Sequence, residues 1–311
     1  MNYTLHQLKI FYEIGQCKSI TKAAEKLNLT QPAVSLQFKK FQDQFDLPLI
    51  EFINKRLYLT DFGIEICEAA RNILQETDSI KEKMHQYKGR LTGKFRLAAV
   101  STAKYIVPYL ISDFLKPNPA IELLMEVTNR AMVLKSLQEN QIDFGMLSVL
   151  PENLDLQYEK VMENRLYLVG KGSDDNIPDR ILEEDLDKIP MIYREEGSAT
   201  RKMMEILMNE RNTNSGKRFE LSSNEAVKQA ILAGLGYSVM PLIGIRNELI
   251  RDELKIIKTE GLPIINHWYL VWNKGKQLNP SSAAFLEFFR NNRERLVRAH
   301  FGWIEEFIPG E

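Results

Sequence analysis

Between Thr60 and Tyr87 the chain contains no proline, and only Gly63 interrupts it, near the start. Within this stretch Ile66, Ala70, Ile73, Thr77, Ile80 and Met84 alternate steps of four and three, the a/d spacing that puts side chains on one seam of a long helix. A seam of this kind needs a partner. A second copy of the chain is one, giving a dimerisation helix; the helix's own domain is the other, because Ala70 and Thr77 make the seam weak. The helix splits the sequence into a short N-terminal segment and a long C-terminal one, with Lys88 to Gly93 as a linker.

The N-terminal segment predicts three short helices and a hairpin. Leu5, Leu8, Phe11 and Tyr12 recur at helical spacing. Ser19 stands at an N-cap position before Ile20, Ala23, Ala24 and Leu27. A third helix starts at Thr30 with Pro32 in its first turn and an apolar stripe of Val34, Phe38, Phe41 and Phe45. Leu47 to Leu59 alternates around Asn54-Lys55-Arg56, as a wing hairpin would.

The tight turn at Asn28-Leu29 between the second and third helices fits a helix-turn-helix. The outward face of the third helix then carries Pro32, Leu36, Lys39 and Lys40, with Ser35 on its flank and Gln31 at its N-terminal end. Gln bonds adenine through two hydrogen bonds and an outward Leu suits a thymine methyl, so Thr30, Gln31, Pro32, Ser35, Leu36 and Gln37 form the candidate base-reading set. Lys39, Lys40, Lys55 and Arg56 would neutralise phosphates. A small helical domain with a solvated basic face remains the alternative.

From Lys94 onward strands alternate with helices in two βαβαβ series, ending in a strong strand at His267 to Trp272 and a strong helix at Pro280 to Arg298. The pattern predicts two α/β lobes with mainly parallel sheets and a ligand cleft between them, at the carboxyl ends of the strands. Ser101 and Thr102 end a strand and open a helix, and Ser198, Thr200 and Arg201 repeat that arrangement, so two helix N-termini could face one anion. Arg201 offers a two-pronged fork for carboxylate or phosphate. Lys104, Asn129 and Asn224 complete the candidate effector set. Plain capping for Ser101, Thr102, Asn129 and Asn224 stays open, as does a salt bridge from Arg201 to Glu195 or Glu196.

Other chemistry has little support in the residues. His6, His85, His267 and His300 are scattered, and Cys17 and Cys67 are far apart, so neither a metal site nor a disulfide framework is expected. No GxSxG elbow or P-loop occurs, so no catalytic residue and no cofactor is assigned. Neither a signal sequence nor an apolar run long enough to span a membrane is present, which predicts a cytoplasmic protein with no membrane partner. Trp268, Trp272 and Trp303 read as core or lobe-interface residues. The whole-chain net charge is -1, yet residues 1 to 60 hold 8 basic and 5 acidic side chains, net +3. Only the N-terminal segment has the sign that DNA requires.

Leu8, Phe11, Ser19, Ala23-Ala24, Leu27, TQPAVS at 30 to 35, Gln37, Leu49 and LTDFG at 59 to 63 together resemble the winged helix-turn-helix of LysR-type transcriptional regulators. Gln42 stands where that family usually has Glu, Asp46 where it usually has Gly, and Phe52 where a wing Arg is common. VSTAKY at 100 to 105, TNR at 128 to 130, EEGSATR at 195 to 201 and SNEAVKQAILAGLGYSVMP at 223 to 241 are similar to segments of the subgroup that regulates carbon-fixation operons, although Glu196 and Ala199 stand where Pro and Gly are common there. The resemblance implies an N-terminal winged helix-turn-helix, mainly α, over 1–59; a linker and dimerisation helix over 60–88; and an α/β two-lobed, periplasmic-binding-protein-like effector domain over 89–311. Lobe I would take about 92–164 and 266–311, and lobe II about 165–265. It implies promoter DNA, a phosphorylated or carboxylate effector, a second copy of the chain in a homodimer or homotetramer, and RNA polymerase as partners. The rival expectation is a cytoplasmic solute-binding protein of the same two-lobed fold without DNA binding, which would have no use for the Lys/Gln/Ser face of the third helix. An enzyme of related shape is a more distant third.

Overall fold

A computed structural model describes residues 2–87, 91–151, 153–172, 178–182, 185–186, 188–209 and 217–307, with the side chains of 79, 81–87, 209 and 217 left aside. The chain divides into two compact units, Met1–Arg90 and Leu91–Glu311.

In the first unit α1 (Leu5–Cys17), α2 (Ile20–Leu27) and α3 (Gln31–Gln42) precede a hairpin of β1 (Ile50–Ile53) and β2 (Arg56–Leu59), and α4 (Asp61–Tyr87) follows. Local chemistry sets each boundary. Thr4 and Gln7 form a capping box on α1, and Lys18 leaves that helix at φ 46°. Ser19 Oγ accepts from Lys22 N at the start of α2, and Asn28 ends it at φ 54°. Asn54 and Lys55 both have positive φ, as a two-residue hairpin turn between twisted strands requires.

Phe11, Ile14, Ala23, Val34 and Phe41 are fully buried in one core, where each Phe contributes about 1.5–3 kcal/mol. Gln42 Oε1 accepts from Leu49 N at 2.7 Å while its Nε2 donates to Leu47 O at 3.0 Å. The amide thus supplies both a donor and an acceptor to the loop before the wing, which the usual Glu, ionised, could not do. A Cβ at Gly63 would lie 1.9 Å from Leu49 O, so only glycine fits there.

Ala70 is fully buried and Ile66 half-buried in this same core. The first part of the expected dimer seam is therefore committed to its own domain, because α4 starts by packing on α1. Ile73 and Ile80 are exposed, and Thr77 is half-buried with its hydroxyl on Leu74 O. Met84 falls outside the described side chains. Burial pushes the Cys67 thiol up to about 11, which keeps it protonated and unreactive. Alkylation with iodoacetamide at pH 8, read by peptide mass spectrometry, should label Cys67 only after denaturation; labelling of the native protein at the rate of a free thiol would contradict this packing.

The second unit contains, in order, β3 (Gly93–Val100), α5 (Val107–Leu115), β4 (Ile121–Thr128), α6 (Arg130–Gln138), β5 (Phe144–Leu147), β6 (Leu156–Lys171), β7 (Pro190–Arg194), α7 (Ala199–Asn209), β8 (Lys217–Leu221), α8 (Asn224–Leu232), β9 (Ser238–Pro241), α9 (Arg246–Ile250), β10 (Leu254–Ile257), β11 (Ile264–Asn273), α10 (Pro280–Phe301) and α11 (Trp303–Glu306). Single 3-10 turns lie at Ala103–Tyr105 and Leu242–Gly244.

The sheet is mixed rather than mainly parallel. β3 pairs in parallel with β4 and β5, but β11 runs antiparallel to β5 and β6, and β6 antiparallel to β9 and β10. The difference comes from β6 and β11, two long strands that pass from one lobe to the other. The first half of β6 pairs with β11, and from Leu166 onward it pairs with β9 and β10. β9 reaches β7 through a Met191–Tyr237 bridge, and β7 pairs in parallel with β8.

Phe144 packs on Phe285 of α10, whereas a Cβ on the next residue, Gly145, would meet Val133 and Leu137 of α6. Consecutive strand residues face opposite ways, so α10 and α6 cover opposite faces of the sheet. Trp268 and Trp272 are buried in the core and Trp303 packs against it.

Candidate functional site

The third helix is a polar and cationic surface without an acidic residue. Thr30, Gln31, Pro32, Leu36, Lys39 and Lys40 are exposed, and Leu36 keeps 54% of its surface in solvent. Gln31 Nε2 donates to Ser35 Oγ at 3.0 Å, one turn along, so the two side chains form a joint polar edge. Thr30 caps by position, with no bond from its hydroxyl. Gln37 differs from its expected place: its Oε1 accepts from Gln7 Nε2 at 3.3 Å, which draws the half-buried side chain toward α1. Lys55 and Arg56 stand exposed at the hairpin, beside Phe52 and Ile53.

In the second unit a small cavity, partly open to solvent, is lined by Val100, Ser101, Thr102, Asn129, Arg130, Arg194, Ser198, Ala199 and Thr200. These residues come from the carboxyl ends of β3, β4 and β7 and from the first turns of α6 and α7, where open α/β sheets bind ligands. The helix expected to open at Thr102 is one 3-10 turn, and α5 begins only at Val107. α6 faces the cavity instead. Asn129 lines the cavity and also caps α6, its Oδ1 accepting from Met132 N at 3.0 Å. Ser198 Oγ lies 3.5 Å from Arg201 N at the start of α7.

Two guanidinium groups that the sequence reading passed over dominate the electrostatics. Arg194, with 4% of its side chain exposed, donates through Nε and Nη2 to both oxygens of Glu195, at 2.7 and 2.9 Å. Its charge is thereby largely balanced. Arg130 donates through Nε to Val149 O at 3.0 Å, and among the described residues no carboxylate pairs with it. Burial draws the Arg130 guanidinium below its ordinary pKa, yet Arg stays protonated at any physiological pH. The cavity therefore has one uncompensated cation, two helix N-termini and the hydroxyls of Ser101, Thr102, Ser198 and Thr200, a set that suits a compact anion.

Arg201 does not line the cavity. Its Nε donates to Glu205 and its Nη1 to Glu220, both at 2.7 Å, and Nη1 also reaches Arg194 O at 3.2 Å. The salt bridges are thus to Glu205 and Glu220 rather than to Glu195 or Glu196, and the fork steadies the backbone of Arg194. Lys104 and Asn224 also lie outside the lining: Lys104 Nζ sits 4.9 Å from the Tyr105 ring centroid, and Asn224 is buried beside Gly244. Across the cleft, Ala131 N donates to Gly197 O at 3.4 Å. No cluster of three His, Cys, Asp or Glu able to hold a metal occurs among the described residues.

Residues 88–294 match the LysR substrate binding domain, and residues 5–64 match the bacterial regulatory helix-turn-helix protein of the lysR family. The chain belongs to the LysR family of transcriptional regulators. The regulator is 36% identical over 288 residues to the HTH-type transcriptional activator CmpR of Synechocystis, covering 92% of this chain and 95% of that one. It is 35% identical over 297 residues to the RuBisCO operon transcriptional regulator of Allochromatium vinosum, covering 95% and 98%. Among solved structures, the regulatory domain of Synechocystis CcmR in complex with 2-PG superposes with a TM-score of 0.61 at 33% identity, over 65% of this chain and 98% of that one.

These relatives put the regulator with the carbon-fixation subgroup. The helix-turn-helix match also removes the ground for the solute-binding alternative. Its family consists of transcription regulators rather than enzymes, and among the described residues no helix is long and apolar enough to cross a membrane.

Proposed function

We propose that this LysR-type regulator reads promoter DNA through α3 and the wing, and that a compact anion held between the lobes controls that contact. Gln31, Pro32, Ser35 and Leu36 reach base edges, Thr30 and Gln37 set the start and seat of the helix, and Lys39, Lys40, Lys55 and Arg56 hold the backbone. Two copies pair along α4 through Ile73, Thr77 and Ile80, and a tetramer forms from two such dimers. Residues 1–59, 60–88 and 89–311 act as DNA-binding, pairing and sensing segments. The regulator works in the cytoplasm, and changed packing between sensing domains alters DNA bending or contact with RNA polymerase.

The observation that carries the sensing half is the uncompensated Arg130 in a small cavity lined by hydroxyls and helix starts. Four hydroxyls and one uncompensated cation around a single small cavity suit one phosphoryl or carboxyl group, which favours a small phosphorylated acid. The complex of CcmR with 2-PG supports the same class. An anion acts here by binding one lobe arrangement more tightly than the other.

Thermal shift of the full-length protein with 2-PG, inorganic phosphate and NADPH tests the assignment. A ligand at 100 times its Kd stabilises by about 2.7 kcal/mol. 2-PG should raise Tm, NADPH should not, and Thr102→Val should reduce the rise. A rise with NADPH alone would overturn the assignment to a small phosphorylated acid, and no rise with any anion would overturn the site.

A further inference from the structure

Tyr105 belongs to the first lobe, in the 3-10 turn that begins directly after Thr102 of the cavity. Its ring reaches into the second lobe. A Cβ on Gly244 would lie 3.0 Å from Tyr105 Cε2 and 2.9 Å from Asn224 Nδ2, so the missing side chain at 244 makes room for the ring. Tyr105 Oη lies 3.4 Å from Glu225 Oε2 on α8. Glu225 is itself held by Gln229 at 3.1 Å and by Lys228 at 3.2 Å, and Lys228 is tied to Glu248 at 2.7 Å. The ring is therefore seated on a fixed receptor made of α8, α9 and the Leu242–Gly244 turn. Asn224 Nδ2 is buried in the same place without a hydrogen-bond partner.

We infer that Tyr105 is a hook between the lobes that sets how closed the cleft is before any effector binds. Several contacts span the lobes, Arg246 on Trp303 and Tyr167 on Phe307 among them, and two of them involve residues within three positions of the cavity lining. One is the Ala131 N to Gly197 O contact beside Asn129 and Ser198, and the other is the Tyr105 ring against Gly244 and Glu225. Neither uses a cavity-lining side chain. An effector that prefers the closed arrangement binds in proportion to the fraction already closed, so loss of the hook weakens binding without removing any contact to the ligand. This second consequence rests on the anion cavity proposed above, whereas the closure itself does not.

Hydrogen exchange of the full-length, ligand-free protein separates the two. In Tyr105→Ala the Ala131 amide should exchange about five-fold or more faster, as for a local opening, and in Gly244→Ala, where the new methyl crowds the ring and Asn224, it should exchange faster by a smaller factor. Amides of β3 and β5 should keep native protection. Tyr105→Phe, which retains the ring, should show a smaller increase. Native exchange at Ala131 in both Tyr105→Ala and Gly244→Ala would overturn the hook, as would protection lost throughout the second unit, which marks general unfolding. Titration with 2-PG should then give an apparent Kd raised by the ratio of the closed fractions that the exchange reports, native over variant; an apparent Kd that departs from this ratio would overturn the coupling. If 2-PG binds neither native protein nor variants, the cavity assignment fails while the exchange result still judges the hook.

Discussion

Replacing Arg130 with glutamine should lower affinity for 2-PG by about 10–100-fold if the proposed site holds it, because a hydrogen bond between charged groups contributes about 1.5–3 kcal/mol. Arg130 has no carboxylate partner among the described residues, so the substitution leaves no orphaned charge behind and the domain should fold normally. Arg194 is a different case. Its Glu195 partner would be left half-buried without its cation, and breaking a fully buried pair costs about 3–5 kcal/mol, an upper bound for this one, which makes Arg194→Gln a stability variant first. Calorimetric titration of 2-PG into each protein, with Tm measured alongside, tells them apart. Arg130→Gln should keep its Tm and lose binding. Native affinity in Arg130→Gln would show that the anion is held elsewhere.

The second large effect is at the DNA face. Gln31 and Ser35 are joined by a 3.0 Å hydrogen bond at the exposed edge of α3, so the double substitution Gln31→Ala, Ser35→Ala removes one base-reading unit. A good bidentate base contact is worth about 1–3 kcal/mol of discrimination. The variant should lose about 10–100-fold for its cognate site while its weak binding to unrelated DNA is unchanged. Lys39→Ala with Lys40→Ala should instead weaken both equally and make the slope of log K against log salt shallower by about 3.6, roughly 0.9 for each of the four phosphate contacts a dimer loses. Fluorescence anisotropy on cognate and scrambled duplexes over a salt series reads both. A double Gln31, Ser35 variant with native discrimination would take base reading away from this edge.

Some of this was legible in the residues because local chemistry decides it. The caps at Ser19 and Thr30, the αL residue Asn28, and the alternating apolar face of Val34, Phe38 and Phe41 define a helix-turn-helix without any tertiary information. The a/d spacing of α4 was equally visible, but spacing cannot say which partner a seam meets. Ala70 is buried in the core of its own domain, and the exposed part of the seam starts at Ile73.

β6 was missed for a physical reason. Over Leu156–Arg165 it pairs only with β11, and its open edge carries Glu159, Lys160, Glu163 and Arg165, so no apolar alternation marks it. Missing that crossing strand made the sheet read as parallel. In the cavity, the hydroxyls and Asn129 were found through their capping chemistry, whereas the two arginines were not. Arg194 ends β7 and Arg130 directly follows Asn129, so a basic residue at the carboxyl end of a strand was the signal available. Arg201 drew attention through its spacing from Ser198, but on α7 it turns toward Glu205 and Glu220.

We propose that one small anion, sensed at Arg130, changes how this regulator holds DNA. DNase I footprinting of the full-length protein on the DNA upstream of its own gene, with and without 2-PG, tests it most directly when Arg130→Gln is run in parallel. Both proteins should leave a footprint without ligand; with 2-PG the native protein's footprint should change in length or affinity, and that of Arg130→Gln should not. An identical ligand response in the two proteins, or none in the native one, would contradict it.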